Sequence, residues 1–222
     1  DTIWLKCIDL SNYKKIHHIG DIHGCNTVLQ EYLNADGGLH DDEFYIFLGD
    51  YIDRGIENAE VIQFLLSIKD NPNVLLLEGN HEKWLAYWSR SEAGMSREFE
   101  QVTRPQLEAA GISRKEVRKL YQRFAQCAYY KYDDNIFLVT HGGLSTIPNN
   151  LSFVSTEQMI KGVGGYRDAK EVDDAFESTM PENIFQIHGH RNVQQLPIKV
   201  NEHAYNLEGQ VEFGGCLRCV EV

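Results

Sequence analysis

The sequence predicts an α/β protein whose first strands are mostly parallel and whose last strands are antiparallel. Three observations support this fold class: five short apolar runs, helical patterns after the first three of them, and a strand-rich end. Each run is bounded by Gly, Asp or Asn, which is typical of buried strands. In chain order the runs are KIHHIG (15–20), EFYIFLG (43–49), NVLLLEG (73–79), NIFLVTHGG (135–143) and NIFQIHGH (183–190).

Helical patterns follow the first three runs. They are TVLQEYLN, NAEVIQFLLSIKD and EKWLAYW, and in the second of them Val61, Leu65 and Ile68 mark one apolar face. A longer helical region is predicted over roughly 104–127, because apolar residues recur there at i, i+3, i+4 and i+7. These residues are Val117, Leu120, Tyr121 and Phe124.

The C-terminal segments AYNLEG, QVEFGG and CLRCVEV are predicted to be short strands joined by hairpin turns at their glycines. The CLRC pair, Cys216 and Cys219, has the spacing of a redox or zinc motif. We interpret it as structural, because residues three apart in a strand point to opposite faces and no second CxxC accompanies it. Five cysteines without framework spacing indicate reduced thiols, and we therefore expect a cytoplasmic protein.

One domain is predicted over 1–222, with a helical insertion at about 90–127, because no repeat, low-complexity tract or Gly/Ser/Pro-rich linker divides the chain. Two interpretations of the insertion stay open: a cap that packs over one edge, or a substrate-selecting lid with Arg97, Thr103 or Arg104 near the site. Because the chain begins at Asp1 rather than Met, we interpret it as an excised module of a longer protein.

The charge and hydropathy of the chain limit its partners. A net charge of −12 argues against a broad basic surface that tracks long nucleic acid, although a bound metal can still create a local anion site. No apolar run approaches the roughly 20 residues that a membrane span needs, and nothing at the start reads as a signal peptide. We therefore expect no membrane partner.

Polar residues follow all five runs at the point where each strand should end. The motifs are GDIHG, GDYIDRG, GNHE, THGG and HGH. Because ligands bind at the carboxyl ends of strands in open α/β sheets, we expect these five ends to converge. The candidate metal ligands are Asp21, His23, Asp50, Asn80, His141 and His190. This mixture without thiolate suits Mn²⁺, Fe²⁺ or Zn²⁺, and six ligands suit two ions about 3.5–4 Å apart.

The ordered motifs resemble the calcineurin-like metallophosphoesterases, in the branch that includes serine/threonine protein phosphatases. The intervals of 29 residues from Asp21 to Asp50 and 30 from Asp50 to Asn80 resemble that branch too. The resemblance covers roughly 19–215. It implies an αββα sandwich of two mixed sheets flanked by helices, and two divalent metal ions, with Mn²⁺ first and Fe, Zn or Ni as alternatives.

The resemblance also implies a role for each candidate residue. Asp21 and His23 would hold one metal, Asp50 would bridge both, and Asn80, His141 and His190 would hold the second. His81 would be the general acid that protonates the leaving oxygen, and Asp53 would orient it. Arg54 would grip the phosphate oxygens. Apart from the resemblance, Asn80 and Arg167 in GVGGYRDAK are further candidate substrate-binding residues, Arg167 as a second phosphate-binding arginine.

Taken singly, several of these residues have simpler explanations. Asp50 or Asp53 alone is typical of a helix cap, and His141 alone is typical of a satisfied polar residue at a strand end. His188, His17 and His18 are interpreted as packing or structural residues. A cysteine-phosphatase loop at Cys25 is excluded, because the residue six positions later is Glu31 rather than Arg. The chain contains no GxxxxGK[ST] phosphate-binding loop, so we do not expect a kinase activity.

We therefore expect a phosphatase that hydrolyses phosphate monoesters by metal-activated hydroxide. The sequence is similar to the phosphatase module of bacterial polynucleotide kinase-phosphatases, which implies 2′- or 3′-phosphates at nucleic-acid ends as substrates and the other domains of a repair protein as partners. The bacterial and phage branch leaves two alternatives, a serine/threonine protein phosphatase and a dinucleoside-polyphosphate hydrolase. A non-enzymatic alternative is a binding module that retains metal, although the His81–Asp53 pair argues against it.

Overall fold

The computed structural model describes residues 6–222, which form two mixed β-sheets with helices on their outer faces. The strands are β1 (Ile8–Asp9), β2 (Ile16–Ile19), β3 (Phe44–Phe47), β4 (Val74–Leu76), β5 (Cys127–Tyr132), β6 (Asn135–Thr140), β7 (Ile184–His188), β8 (Lys199–Asn201), β9 (Ala204–Asn206) and β10 (Cys219–Glu221). The helices are α1 (Asn26–Asn34), α2 (Asn58–Ile68), α3 (Lys83–Ser89), α4 (Arg104–Ala109), α5 (Arg114–Tyr121), α6 (Thr156–Lys161) and α7 (Ala169–Thr179). The αββα arrangement expected from the sequence is confirmed.

The two sheets have different strand orders. The first sheet has the order β10-β2-β3-β4, in which β2, β3 and β4 are parallel and β10 is antiparallel to β2. The second has the order β1-β5-β6-β7-β9-β8, in which β6, β7 and β9 are parallel. Parallel neighbours need long crossovers, and α1, α2, α6 and α7 lie in those connections.

Strand β3 shows why the apolar runs are continuous. Phe44 and Ile46 pack in the core between the two sheets, whereas Tyr45 and Phe47 pack in the core between the first sheet and its helices. Both faces of the strand are buried, so every residue of FYIF is apolar or aromatic. The same sandwich places the carboxyl ends of parallel strands from both sheets along one edge.

The predicted helical region over 104–127 is two helices followed by a strand. Helix α4 ends before Gly111, whose φ of +71° places it in the left-handed region. Ser113 then begins α5 with a reciprocal capping box to Glu116, and β5 begins at Cys127. A π-helix, Phe99–Thr103, leads directly into α4.

The prediction of strands joined by hairpins at the C-terminus was wrong in part. QVEFGG contains a 3₁₀ turn, Val211–Phe213, instead of a strand. Strands β9 and β10 belong to different sheets, so no hairpin joins them. In CLRC only Cys219 lies in a strand, and Cys216 is exposed before it. Across residues 6–222 no helix is both long enough and apolar enough to traverse a lipid bilayer.

Candidate metal centre

The six candidate ligands converge at the strand ends of both sheets. Asp21 and His23 follow β2, Asp50 follows β3 and Asn80 follows β4, while His141 follows β6 and His190 follows β7. All are buried except Asn80 and His190, which are half-buried. Side-chain ligand atoms form three overlapping groups with spacing suited to a cation: Asp21–His23–Glu208, His23–Asp50–His81 and Asp50–His141–His190.

His23 and His141 are oriented by backbone carbonyls. His23 Nδ1 lies 2.9 Å from the carbonyl oxygen of Ile52, and His141 Nδ1 lies 2.8 Å from that of Leu48. Each Nε2 therefore faces the Asp50 carboxylate, at 3.5 Å for His23 and 3.1 Å for His141. A histidine whose Nδ1–H is held by a carbonyl presents a lone pair on Nε2, as ligating histidines generally do.

Asp50 lies between the two halves of the centre. The side-chain oxygen of Asn80 faces Asp50 Oδ2 at 3.1 Å and His190 Nδ1 at 2.9 Å, and only with the amide reversed would its nitrogen donate to them. His190 in turn donates its backbone N–H to Asp21 Oδ1 at 3.2 Å. Asp50 thus contacts residues of both the Asp21 side and the His190 side, which is the position of a bridging ligand.

The electrostatics of this cluster fit divalent cations. Burial raises the pKa of Asp21 well above its ordinary value, and the Glu208 and Asp50 carboxylates raise it further. Burial opposes ionisation of Asp50 too, but His141, His81 and His23 hold the pKa of Asp50 well below its ordinary value. Burial and His141 lower the pKa of His190 to about 3, which keeps its imidazole in the neutral form that binds metals. Carboxylates and imidazoles are the donor set that Mn²⁺, Fe²⁺ and Zn²⁺ take.

The backbone at the centre is unusual. Of the nine non-glycine residues with positive φ in the described chain, five are His23, Asp50, Asp53, Arg54 and His190. Such conformations cost free energy and persist where the surrounding structure fixes them, often at functional sites. Gly189 also permits close approach, because a Cβ there would lie 2.2 Å from Asp21 Oδ1.

His81 and Asp53 form a pair beside the carboxylates. His81 Nδ1 lies 2.7 Å from Asp53 Oδ2, and His81 donates its backbone N–H to Asp50 Oδ1 at 3.1 Å. Burial lowers the pKa of His81, but the hydrogen bond to Asp53 and the charges of Asp50, Asp53 and Glu82 raise it to about 9. The imidazole is therefore protonated at neutral pH and can donate a proton.

The insertion reaches this pair through one residue. Thr103, the last residue of the π-helix, is buried and donates its hydroxyl to Asp53 Oδ1. Arg104 does not reach the centre, because its guanidinium pairs with Glu100 and Glu108 on the surface. Arg97 is exposed. Of the three insertion residues singled out in the sequence, the structure brings Thr103 to the site.

Glu82, the last letter of GNHE, is a site residue that the sequence reasoning missed. Its buried carboxylate accepts backbone N–H bonds from Tyr51 at 2.7 Å, Gly79 at 2.7 Å and Asp50 at 3.0 Å. Burial and the charge of Asp50 raise its pKa to about 7. Glu82 thus ties the loop after β3 to the loop after β4, and its place in the motif was the available signal.

Glu208 was missed as well. It is buried after β9 in YNLEG and faces Asp21 and His23. Its signal was its place directly before a glycine at the end of AYNLEG, which resembles the polar residues beside glycine in the five motifs.

Arg54 lies at the entrance of the centre. Its side chain is 35% exposed, and its Nη1 donates to Glu212 Oε1 at 3.2 Å. The guanidinium carbon lies 5.8 Å from the centre of the Phe213 ring. Burial opposes the charge on Arg54, but the hydrogen bond to Glu212 raises its pKa.

Arg167 is exposed and lies outside the metal-ligand cluster. Its neighbour Tyr166, in contrast, contacts His190 of the cluster. The Tyr166 hydroxyl donates to the carbonyl oxygen of His190 at 3.2 Å, and the two rings are 5.3 Å apart, edge to face. Arg191, a fully buried residue that sequence reasoning missed, supports this loop by donating from Nη1 to the carbonyl oxygen of Gly165 at 2.7 Å.

Three further histidines form hydrogen bonds outside the candidate metal centre. His188 Nε2 lies 2.9 Å from Asp173 Oδ1, so it contacts a carboxylate of α7. His17 contacts the Tyr32 hydroxyl, and His18 contacts that of Tyr130.

A cavity of about 490 Å³ opens beside Asn80 and His190. The rest of its wall comes from α6 and the following loop: Ser155, Glu157, Gln158, Lys161, Gly162, Gly164 and Tyr166. A larger cavity of about 1050 Å³ lies between the end of α2, β4 and the segment after α5. None of the candidate ligands lines that larger cavity, so the smaller one is the candidate substrate pocket.

Sequence comparisons place these motifs among known proteins. A family model described as calcineurin-like phosphoesterase matches residues 14–214. Serine/threonine-protein phosphatase PP1-1 of Saccharomyces cerevisiae is 46% identical over 65 residues, which are 28% of this chain and 21% of that protein. Serine/threonine-protein phosphatase C23G10.1 of Caenorhabditis elegans is 48% identical over 65 residues, 28% of this chain and 14% of that protein. The match therefore spans about a fifth or less of these relatives' length.

Solved structures share the fold at low sequence identity. A protein provisionally described as a diadenosine tetraphosphatase superposes with a TM-score of 0.66 and 15% identity, over 98% of both chains. A protein serine/threonine phosphatase from Saccharomyces cerevisiae gives 0.61 and 16%, over 90% of this chain and 68% of that one. The cold-active protein-tyrosine phosphatase of a Shewanella species gives 0.57 and 15%, over 98% and 78%. With the family model covering most of its length, this chain belongs to the calcineurin-like phosphoesterase family.

Proposed function

We propose that the protein is a binuclear-metal phosphomonoesterase. The observation that carries the proposal is the His81–Asp53 pair, with 2.7 Å between His81 Nδ1 and Asp53 Oδ2 and a raised pKa of His81, beside a cluster of buried carboxylates and imidazoles. A module that only bound metal would have no use for a positioned proton donor. An enzyme that expels an alkoxide needs one.

The described side chains fit two cations that share Asp50. Asp21 and His23 would hold one, with Glu208 facing the same position. Asn80, His141 and His190 would hold the other. When bound, two such ions supply Lewis acidity toward the phosphoryl group and a nucleophilic hydroxide near neutral pH. We expect Mn²⁺ to support activity best among Mn²⁺, Fe²⁺, Zn²⁺ and Ni²⁺.

The protein residues would bind the ester and move the proton. Arg54 keeps free N–H donors beyond its bond to Glu212, and its planar guanidinium suits two phosphate oxygens at once. His81, protonated on both nitrogens, would donate the Nε2 proton to the departing oxygen. Asp53 would hold the ring through Nδ1, and Thr103 would hold Asp53.

For the substrate we propose terminal 2′- or 3′-phosphates of nucleic acids. The proposal is supported by the small cavity beside Asn80 and His190, which suits a chain end, and by the net charge of −12, which opposes binding along a duplex. The phosphatase and tetraphosphatase relatives make a phosphoprotein and a dinucleoside polyphosphate the competing substrates.

The reaction is tested first on protein reconstituted with Mn²⁺. His81→Asn is expected to lower kcat for glycerol 2-phosphate by about 10²–10⁴-fold while two ions per chain remain bound. His40→Asn, at a half-buried histidine before β3 that lies outside the ligand groups of the centre, is the matched control and should leave kcat unchanged. Two bound ions with no hydrolysis by the unmodified protein would identify a metal-retaining binding module instead.

A substrate panel then tests specificity. It contains a phosphoserine peptide, a 3′-phosphorylated oligonucleotide, a 2′,3′-cyclic nucleotide and diadenosine tetraphosphate. We expect the highest kcat/KM for the 3′-phosphorylated oligonucleotide. A preference for the phosphopeptide or for the tetraphosphate would replace the nucleic-acid end as substrate.

A further inference from the structure

Two exposed aromatic rings stand at the entrance of the candidate centre. Phe213 is 70% exposed and Tyr166 is 50% exposed, although most of the chain's other aromatic side chains lie in its cores. Phe213 lies beside Arg54, and Tyr166 lies beside His190. Exposed aromatic surface at the rim of a polar cavity is typical of a ligand contact.

Both rings are held by rigid supports. The Tyr166 hydroxyl donates to the carbonyl oxygen of His190, and its loop is fixed by Gly165 N–H donating to Asp168 Oδ2 at 2.8 Å and by buried Arg191. Phe213 ends the 3₁₀ turn Val211–Phe213, in which Glu212 has a side chain only 1% exposed that pairs with Arg54. A ligand that stacks on these rings therefore pays little ordering entropy.

Each of the two rings lies near a basic side chain that is paired with a carboxylate. Arg54, next to Phe213, pairs with Glu212, and Lys161, in the wall of the cavity that Tyr166 lines, pairs with Glu157 of the same wall at 2.8 Å. A phosphate on Arg54 would thus have an aromatic face on its outer side.

We propose that Phe213 and Tyr166 form a stacking site for the base of the terminal nucleotide whose phosphate binds Arg54. The inference rests on the proposed function and specifies its substrate as a nucleotide with a base, not only a sugar phosphate. A sugar separates the base from the phosphate, which places the base at the rim where these rings are exposed. In phosphotyrosine the ring joins the phosphate ester oxygen directly, so that ring would lie deeper, against the centre.

The test compares two oligonucleotides that differ only in their last unit: a 3′-phosphorylated adenosine or a 3′-phosphorylated abasic sugar. With Mn²⁺-loaded protein we expect kcat/KM to be about tenfold higher for the adenosine end, as one stacked base provides. Phe213→Ala and Tyr166→Ala should each lower kcat/KM for the adenosine end several-fold more than for the abasic end, so that the preference for the adenosine end is reduced. Tyr166→Phe keeps the ring and should retain the preference.

Phe153→Ala is the matched control, because Phe153 is also highly exposed but lies in the 3₁₀ turn Leu151–Phe153, away from the Phe213–Arg54 contact and outside the cavity lining. Equal kcat/KM for the two ends in the unmodified protein would overturn the proposal. So would equal losses on both ends in the variants, or a loss confined to a phosphotyrosine peptide. If no monoester were hydrolysed, the proposed function would fail, and calorimetric binding of adenosine 3′-phosphate against ribose phosphate would still decide whether the rings bind a base.

Discussion

Replacing Asp53 with asparagine would separate the charge of the His81–Asp53 pair from its geometry. Asp53 is buried, its Oδ2 lies 2.7 Å from His81 Nδ1, and Thr103 donates to its Oδ1. Asparagine keeps the shape and one acceptor oxygen but removes the negative charge. We expect Asp53→Asn to fold and bind metal, and to lose the stabilised imidazolium of His81.

The size of the effect follows from the pKa of His81. Burial lowers this pKa, whereas the bond to Asp53 and the charges of Asp50, Asp53 and Glu82 raise it from 6.5 to about 9. Loss of one adjacent opposite charge lowers a pKa by about 1–3 units. Bound cations lower the pKa in both proteins, so the measured quantity is the difference between them.

The assay is the pH dependence of kcat for glycerol 2-phosphate, from about pH 5 to about pH 10. His81 can donate only when protonated, so activity is present below its pKa and lost as the pH rises through it. The alkaline limb of kcat should therefore move about two pH units lower in Asp53→Asn. At pH values above its own alkaline limb, the variant's kcat should fall about tenfold per pH unit relative to that of the unmodified protein. This divergence ends where His81 of the unmodified protein also loses its proton.

A second substrate keeps this test specific. The leaving group of p-nitrophenyl phosphate needs little protonation, so its kcat should fall less than that for glycerol 2-phosphate. Equal losses on both substrates with an unmoved alkaline limb would show that Asp53 only supports the fold. An unchanged kcat on glycerol 2-phosphate would remove the pair from the reaction.

Three further substitutions test the centre from different sides. Asp50→Asn is expected to lower the metal content from two ions per chain to one or none, because Asp50 belongs to two of the ligand groups. Elemental analysis measures this content, and two retained ions would contradict the bridging position. Glu82→Ala is expected to lower the free energy of unfolding of the metal-free protein, measured in urea, by about 3 kcal/mol, because three backbone N–H groups lose their acceptor. A loss below about 1 kcal/mol would show that water replaces the carboxylate as acceptor. Thr103→Val should lower kcat for glycerol 2-phosphate about threefold to tenfold with metal content unchanged, and Thr103→Ser, which keeps the hydroxyl, should not.

The sandwich and the convergence of strand ends were predictable because their signals are local. Each of the five runs is short, apolar and followed by a polar residue beside glycine, and each is a strand in the structure. Convergence then follows from the parallel order of β2, β3 and β4 and of β6 and β7. A pattern of five ordered motifs specifies both the sheet and its functional edge.

The residues that were missed depend on tertiary contacts that no periodicity encodes. Glu82 acts through backbone N–H groups of a neighbouring loop, and Glu208 reaches Asp21 from the far end of the chain. The sequence offered Thr103 as one of three insertion residues that could lie near the site. The π-helix, which no pattern predicted, positions the Thr103 hydroxyl to donate to Asp53. Arg167 carried the expected charge, but the turn at 164–168 directs the neighbouring Tyr166 toward His190 instead.

The distribution of the ligands along the chain fixes when the centre can be completed. Asp21, Asp50 and Asn80 precede the insertion, whereas His141 and His190 follow it, and the His190–Asp21 contact joins residues 169 positions apart. During synthesis the parallel strands of the first sheet emerge with their carboxylates well before His141 and His190 of the second sheet. An ion that bound both sides could be captured only after the two sheets had docked. Metal occupancy would then report that the whole sandwich, and not only its first half, has been made and assembled.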